Sequence, residues 1–240
     1  MVAAGLVLGA ASQVQAAPVY DYTASLAPEN GSGVTGTAKL TLGGNVLTMA
    51  IDATGLVPGQ VHMSHIHGLL GSAAPNTSLA PPSADTDKDG YVESPEGAAF
   101  SGPPLFGLPE TKPGGYSTAP GGIVSFTQTY DVTDTSLYDP DKMGLTLTPA
   151  DILGTTGGNT IPLVDRIIEL HGENVPAGAG AGTPYEVNGT GGYIAMLPVA
   201  AGKIQLVSQS GTTAVPEPGT LALLGASLAG LAFARRYRRT

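Results

Sequence analysis

The sequence predicts an all-β fold, an antiparallel Greek-key β-sandwich with one long loop insertion. Three observations carry this. Apolar and polar residues alternate through several short runs, as in strands with one face in a core and one in water. Turn-forming residues are abundant, with Gly 35 and Pro 20 among 240 residues, as a chain of many short strands requires. Charged residues make up only 12% while apolar residues reach 42%, enough to fill a core and too much for a chain disordered throughout.

Taken in order, alternation marks strands over residues 19–26, 36–42 and 46–53. Gly43-Gly44-Asn45 separates the last two and is a strong hairpin signal. A turn at residues 55–59 leads into Val61-His62-Met63-Ser64-His65-Ile66-His67-Gly68, which holds three of the four histidines. A Pro/Gly-rich excursion follows before residues 123–130 read as a strand. Thr148-Pro149 offers an N-cap with proline in the first helical position, so a short helix is expected near residues 148–153. Residues 161–170 are ambiguous: Leu163, Val164, Ile167 and Ile168 have helical spacing, but the β context favours sheet. Residues 193–197 read as a further strand, and residues 176–192 as a low-complexity loop of small residues. The expected organisation is a signal peptide at 1–16, one β-domain at 17–207 with an insertion at 68–122, a linker at 208–214 and a sorting segment at 215–240.

The net charge of −9 understates the acidity of the folded part, because Arg235, Arg236, Arg238 and Arg239 are four of the ten basic residues. An acidic body disfavours nucleic acid and favours divalent cations. The absence of cysteine excludes disulfides, thiolate nucleophiles and thiolate zinc sites. No Gly-rich phosphate loop follows a strand, and no Gly-x-Ser-x-Gly elbow is present. Asp139 and Asp141 read as a surface turn rather than an acid–base pair.

Residues 2–11 are apolar, and Val14-Gln15-Ala16 before Ala17-Pro18 has the small-residue spacing of a signal-peptidase site. The positive region that should precede the apolar run is missing, so the true start is expected upstream unless the chain was trimmed. At the other end, Pro216-Glu217-Pro218 precedes an apolar run at 221–234 and the arginine cluster. This combination resembles the PEP-CTERM sorting signal of exopolysaccharide-producing Gram-negative bacteria. The resemblance implies an exosortase-type sorting enzyme as partner. The run falls short of the roughly 20 apolar residues that span a bilayer comfortably, so transient or retained membrane insertion through a C-terminal transmembrane helix is expected, with the arginines cytoplasmic.

Residues 85–96 match a twelve-residue calcium loop. Asp85, Asp87 and Asp89 stand at positions 1, 3 and 5, with Gly90 at the sharp turn of position 6. Tyr91 would supply its carbonyl oxygen, Glu93 a water-mediated contact and Glu96 a bidentate carboxylate. Hard oxygen donors at this density suit Ca2+. Pro81, Pro82 and Pro95 disfavour two long flanking helices, so a lone structural EF-hand-like loop is expected, not a sensor.

On a strand, Met63, His65 and His67 share one face, and His62, Ser64 and Ile66 the other. His65, His67 and the distant His171 could therefore supply three imidazoles to copper or zinc. The strand resembles that of copper-zinc superoxide dismutase, which would imply oxidoreductase activity. The alternative is that these histidines hydrogen-bond to backbone at a sheet end and fix the fold.

The early Leu-rich hairpin, Gly55-Leu56, His65-Ile66-His67-Gly68, Leu170-His171-Gly172 and Leu197-Pro198-Val199-Ala200 together resemble the CHRD domain, over most of residues 19–206. The resemblance implies an immunoglobulin-like β-sandwich with a binding or matrix role and no attached enzymatic activity. The expected function is that of an exported, calcium-binding CHRD protein of the cell envelope, outer surface or exopolysaccharide (biofilm) matrix, with exopolysaccharide or envelope proteins as partners. A glycan-binding module using surface tyrosines Tyr91, Tyr116 and Tyr185 is a third reading.

Overall fold

In the computed structural model, whose described residues are 17–111 and 115–211, alternation in the first three runs produces an antiparallel meander. Its strands are Val19–Pro28 (β1), Thr35–Gly43 (β2) and Val46–Thr54 (β3). Ala38, Leu40 and Leu42 of β2 are buried while Lys39 and Thr41 face water, and Leu47, Met49 and Ile51 bury the matching face of β3. The pairing Gly43↔Val46 leaves Gly44-Asn45 as a two-residue turn. Gly44, at φ +57°, takes the first turn position, where a twist-compatible hairpin needs positive φ. Ile123–Asp131 (β6) pairs with β3 and completes one wall.

The other wall comprises Ser64–His67 (β4), Pro104–Gly107 (β5), Ile167–Val175 (β7) and Gly192–Lys203 (β8). β4 lies between β5 and β7, and β8 pairs with β7 and with Ala27 and Pro28 at the end of β1. Among the described residues the strands therefore form one antiparallel sheet in the order β5-β4-β7-β8-β1-β2-β3-β6, with Gln205–Ser210 (β9) beside β1. The sheet curls into a half-barrel. Phe106 of β5 meets Tyr130 of β6 edge to face at 6.1 Å, and the Tyr130 hydroxyl donates to Pro109 O at 2.8 Å, so the two outermost strands approach. Leu40, Met49 and Ile51 from the first wall pack in one core with Ile66, Phe106, Leu170 and Val199 from the second. The antiparallel all-β class is as expected; a Greek-key sandwich is a finer statement than this single curled sheet establishes.

The segment between β4 and β6 is more than a loop. It contributes the edge strand β5 and the helix Ser94–Ser101 (α1). Pro95 does not prevent that helix, because it occupies the first turn, where its missing N–H has no partner to lose. Pro149–Leu153 (α2) forms where expected, with Thr148 and Asp151 making a reciprocal capping box. The ambiguous residues 161–170 divide into turns and then strand, which begins at Ile167. β9 extends to Ser210, so the first residues of the expected linker belong to a strand. Residues Val19–Gln209 form a compact unit of their own. The expected signal peptide and the sorting segment with Pro216, Glu217 and Pro218 lie outside the described residues.

Candidate metal-binding sites

Ile66, Ile168 and Leu170 of the central strands point into the core. Alternation then sends His65, His67, Glu169 and His171 to the opposite face, where all four are buried. The two histidine segments meet because β4 and β7 are adjacent, with His65 directly opposite Glu169. Ring centroids lie 5.7 Å apart for His65–His67, 5.1 Å for His65–His171 and 5.4 Å for His67–His171. One ligand nitrogen from each lies within 4.8 Å of the others. The sequence-derived trio is thus brought together.

His67 Nδ1 lies 3.1 Å from Gly102 O, and His171 Nδ1 2.8 Å from Met196 O. Burial holds His67 down to about 4 and His171 to about 3, the latter helped by His67. Burial, then His171 and His67, keeps His65 well below the ordinary histidine value. All three are neutral at pH 7. Burial raises Glu169 to about 8, with Asp141 adding to the rise, and Glu29 to about 9, with Glu169 adding.

His62 plays the other role considered for this strand. Its Nδ1 and Nε2 face the carbonyls of His171 and Val57 at 2.9 and 3.0 Å, which fastens the strand end to its neighbours. The glycine after each histidine motif also has a packing reason. A Cβ at Gly68 would lie 2.5 Å from Arg166 Nη1. Gly172 has φ +108°, and a Cβ there would collide with the Tyr193 hydroxyl.

The acidic loop stands beside this face and leads into α1. Asp85 accepts from Lys88 N and Gly90 N, at 2.6 and 3.0 Å, which folds the loop on itself. Glu96, expected as a bidentate ligand, is also a cap: Oε1 accepts from Thr86 N, Thr86 Oγ1 and Asp87 N, and Oε2 from Glu93 N. Burial opposes its ionisation, but these hydrogen bonds outweigh burial and hold it below the usual carboxylate range. The ligand atoms form two overlapping groups, Asp85–Asp87–Glu96 and Asp87–Asp89–Glu93, each within 4.8 Å. Glu93 is fully buried, its Oε1 accepts from Val187 N at 2.8 Å, and its Oε2 has no partner. Burial, reinforced by Asp89 and Asp87, pushes Glu93 up to about 8.

Several contributors were not legible in the sequence. Val187, from the stretch read as low-complexity loop, is buried with Val175 and Leu197, against Tyr91. Asn30 donates to Val92 O and Pro198 O and accepts from Val92 N, tying the loop to β1 and β8. Of the three tyrosines read as surface groups, only Tyr185 is exposed; Tyr91 is half-buried, and Tyr116 packs edge to face on His65 at 5.6 Å. A cleft of about 730 Å³ separates loop and sheet, with Asp85 and Gly90 on one side and His67, Glu169, Glu29 and Asp141 on the other.

Residues 214–239 match the PEP-CTERM protein-sorting motif. The chain carries a PEP-CTERM sorting signal. Such a signal marks an exported, envelope-associated protein of Gram-negative bacteria and is recognised by an exosortase-type enzyme. No curated protein matches the chain. Among the described residues no helix is long and apolar enough to cross a membrane; the apolar run at 221–234, on which the transmembrane expectation rested, lies outside them.

Proposed function

We propose that this protein is an exported, calcium-stabilised β-domain with a structural or binding role in the cell envelope or exopolysaccharide matrix, and that residues 19–206 are a CHRD-type module. The observation that carries the calcium reading is the unpartnered, buried Oε2 of Glu93 in a carboxylate group with Asp87 and Asp89. Carboxylates this close repel once ionised, and a hard divalent cation is what relieves them. The CHRD reading is supported by the convergence of the quoted histidine motifs on adjacent strands.

Because Ca2+ would bind only the folded loop, it stabilises by RT ln(1 + [L]/Kd). At a hundredfold excess over Kd that is about 2.7 kcal/mol, or a rise in melting temperature of about 5–10 °C for a domain of this size. Chelation by EGTA should remove the increment, and Glu93→Gln and the pair Asp85→Ala, Glu96→Ala should blunt the response. Melting curves indifferent to both chelation and the double change would refute the calcium reading.

A further inference from the structure

The carbonyls of Gly102 and Met196 can only accept, so His67 and His171 both carry their proton on Nδ1 and present a lone pair at Nε2. Those two Nε2 atoms face each other at 3.4 Å. Neither has a proton to share, so the contact is not a hydrogen bond. Two lone pairs held so close in a buried site repel unless an electrophile lies against both. A tetrahedral ion held by imidazoles at about 2.0–2.1 Å sets its nitrogens roughly 3.3–3.4 Å apart, which is the separation found. His65 supplies a second, independent observation: it is fully buried and neither of its ring nitrogens has a hydrogen-bond partner, a costly state for a polar ring in a core. Glu169, opposite His65, places Oε1 3.7 Å from His171 Nε2.

We propose that His65, His67 and His171, with Glu169 as fourth ligand, form a mononuclear site for a divalent transition metal of the zinc class. Three imidazoles and one carboxylate select such an ion over Ca2+, whose all-oxygen preference the acidic loop meets instead. The bonds from Nδ1 to Gly102 O and Met196 O orient two of the rings, as outer-shell contacts do in metal centres. His67 and Glu169 border the cleft, which gives the ion its entry path. The carboxyl groups of Glu29 and Asp141 on the same wall offer no cation to an anionic exogenous ligand and leave water or a small neutral molecule to reach the metal.

The test uses the full chain stripped with EDTA, dialysed, saturated with Ca2+ and titrated with Zn2+, with bound metal counted by plasma mass spectrometry after desalting. One zinc per chain is expected. His65→Gln should weaken binding by more than the about 10–100-fold that outer-shell changes cost, and Glu169→Gln by at least about 10-fold. Asp87→Asn should keep the zinc and lose the calcium response, so this site and the calcium reading fail separately. X-ray absorption at the zinc edge of the unmodified protein guards against a variant that does not fold: scattering from three imidazoles supports the site. An all-oxygen zinc environment, no retained zinc, or undiminished affinity in His65→Gln would overturn it. Undiminished affinity in Glu169→Gln would strike Glu169 from the ligand set.

Discussion

Arg166→Ala is expected to destabilise the domain by about 4–5 kcal/mol, lowering the melting temperature by roughly 10–15 °C. Arg166 is the largest fully buried side chain among the described residues. Its guanidinium donates to backbone carbonyls: Nε to Ile152 O at 3.0 Å and Asp151 O at 3.2 Å, Nη1 to Leu69 O at 3.2 Å and Asp165 O at 2.8 Å, and Nη2 to Asp151 O. Asp151 and Ile152 lie in the last turn of α2, where carbonyls run out of intrahelical donors; Asp151 O also accepts from Gly154 N at 3.3 Å. The cation satisfies them and complements the helix dipole. Leu69 follows the His67-Gly68 motif, and Arg166 itself leads into β7, so one side chain joins the ends of both histidine strands to α2. Removal leaves a cavity and several orphaned carbonyls, each costing about 1–3 kcal/mol when buried. Arg166→Lys keeps the charge but cannot span the same acceptors, and it should recover only part of the loss. Urea titration of the three proteins decides the matter; a loss below about 1 kcal/mol for the alanine variant would show that water replaces the guanidinium.

Nothing in the sequence announced that role. Arg166 stands between Asp165 and Ile167 with no motif around it, and apart from the adjacent Asp165 O its partners are carbonyls 14 to 97 residues away that no side-chain motif signals. The legible parts were those with local causes. Alternation in β1 to β3, the Gly44-Asn45 turn and the Thr148 cap are each decided within a few residues. The convergence of His65, His67 and His171 was legible as a hypothesis because period-two alternation puts the first two on one face; the pairing of β4 with β7 supplied the third. Glu169, Glu29 and Asn30 were missed for the same reason as Arg166. Each is a polar residue whose burial is imposed by strands distant in sequence. The two long flanking helices that Pro81, Pro82 and Pro95 disfavoured are not found among the described residues; the short helix α1 forms because Pro95 stands in its first turn.

The pH dependence of the chelator-treated protein is expected to have an optimum near pH 5–6.5, and the buried groups fix its sign. Glu169 and Glu29 titrate at about 8 and about 9 in the fold, against roughly 4.3 in an unfolded chain. Between these values the folded state holds protons that the unfolded state has released, so stability falls as pH rises. Each such proton costs about 1.4 kcal/mol per pH unit. Counting the interacting pair as a single site still gives a loss of about 2–2.5 kcal/mol from pH 6.5 to 8.5, less than the full slope because the site itself begins to ionise in the fold over that range, and Glu93, also raised by burial, acts in the same direction. The histidines act oppositely. His67 and His171, held at about 4 and about 3, are neutral in the fold but charge below about 6.5 when unfolded, so their contribution is complete above that pH and is lost as pH falls. Between roughly 4.5 and 6.5 the two trends offset one another, and on either side one of them prevails. Thermal melts in EDTA at pH 4, 5.5, 7 and 8.5 test this directly, and stability that climbs steadily from pH 6 to 8.5 would contradict it. Glu169→Gln should make the alkaline limb shallower, because an amide cannot ionise, while Glu29 and Glu93 still release their protons. The same change leaves the acid limb in place, since His67 and His171 still exclude the proton that the unfolded chain accepts.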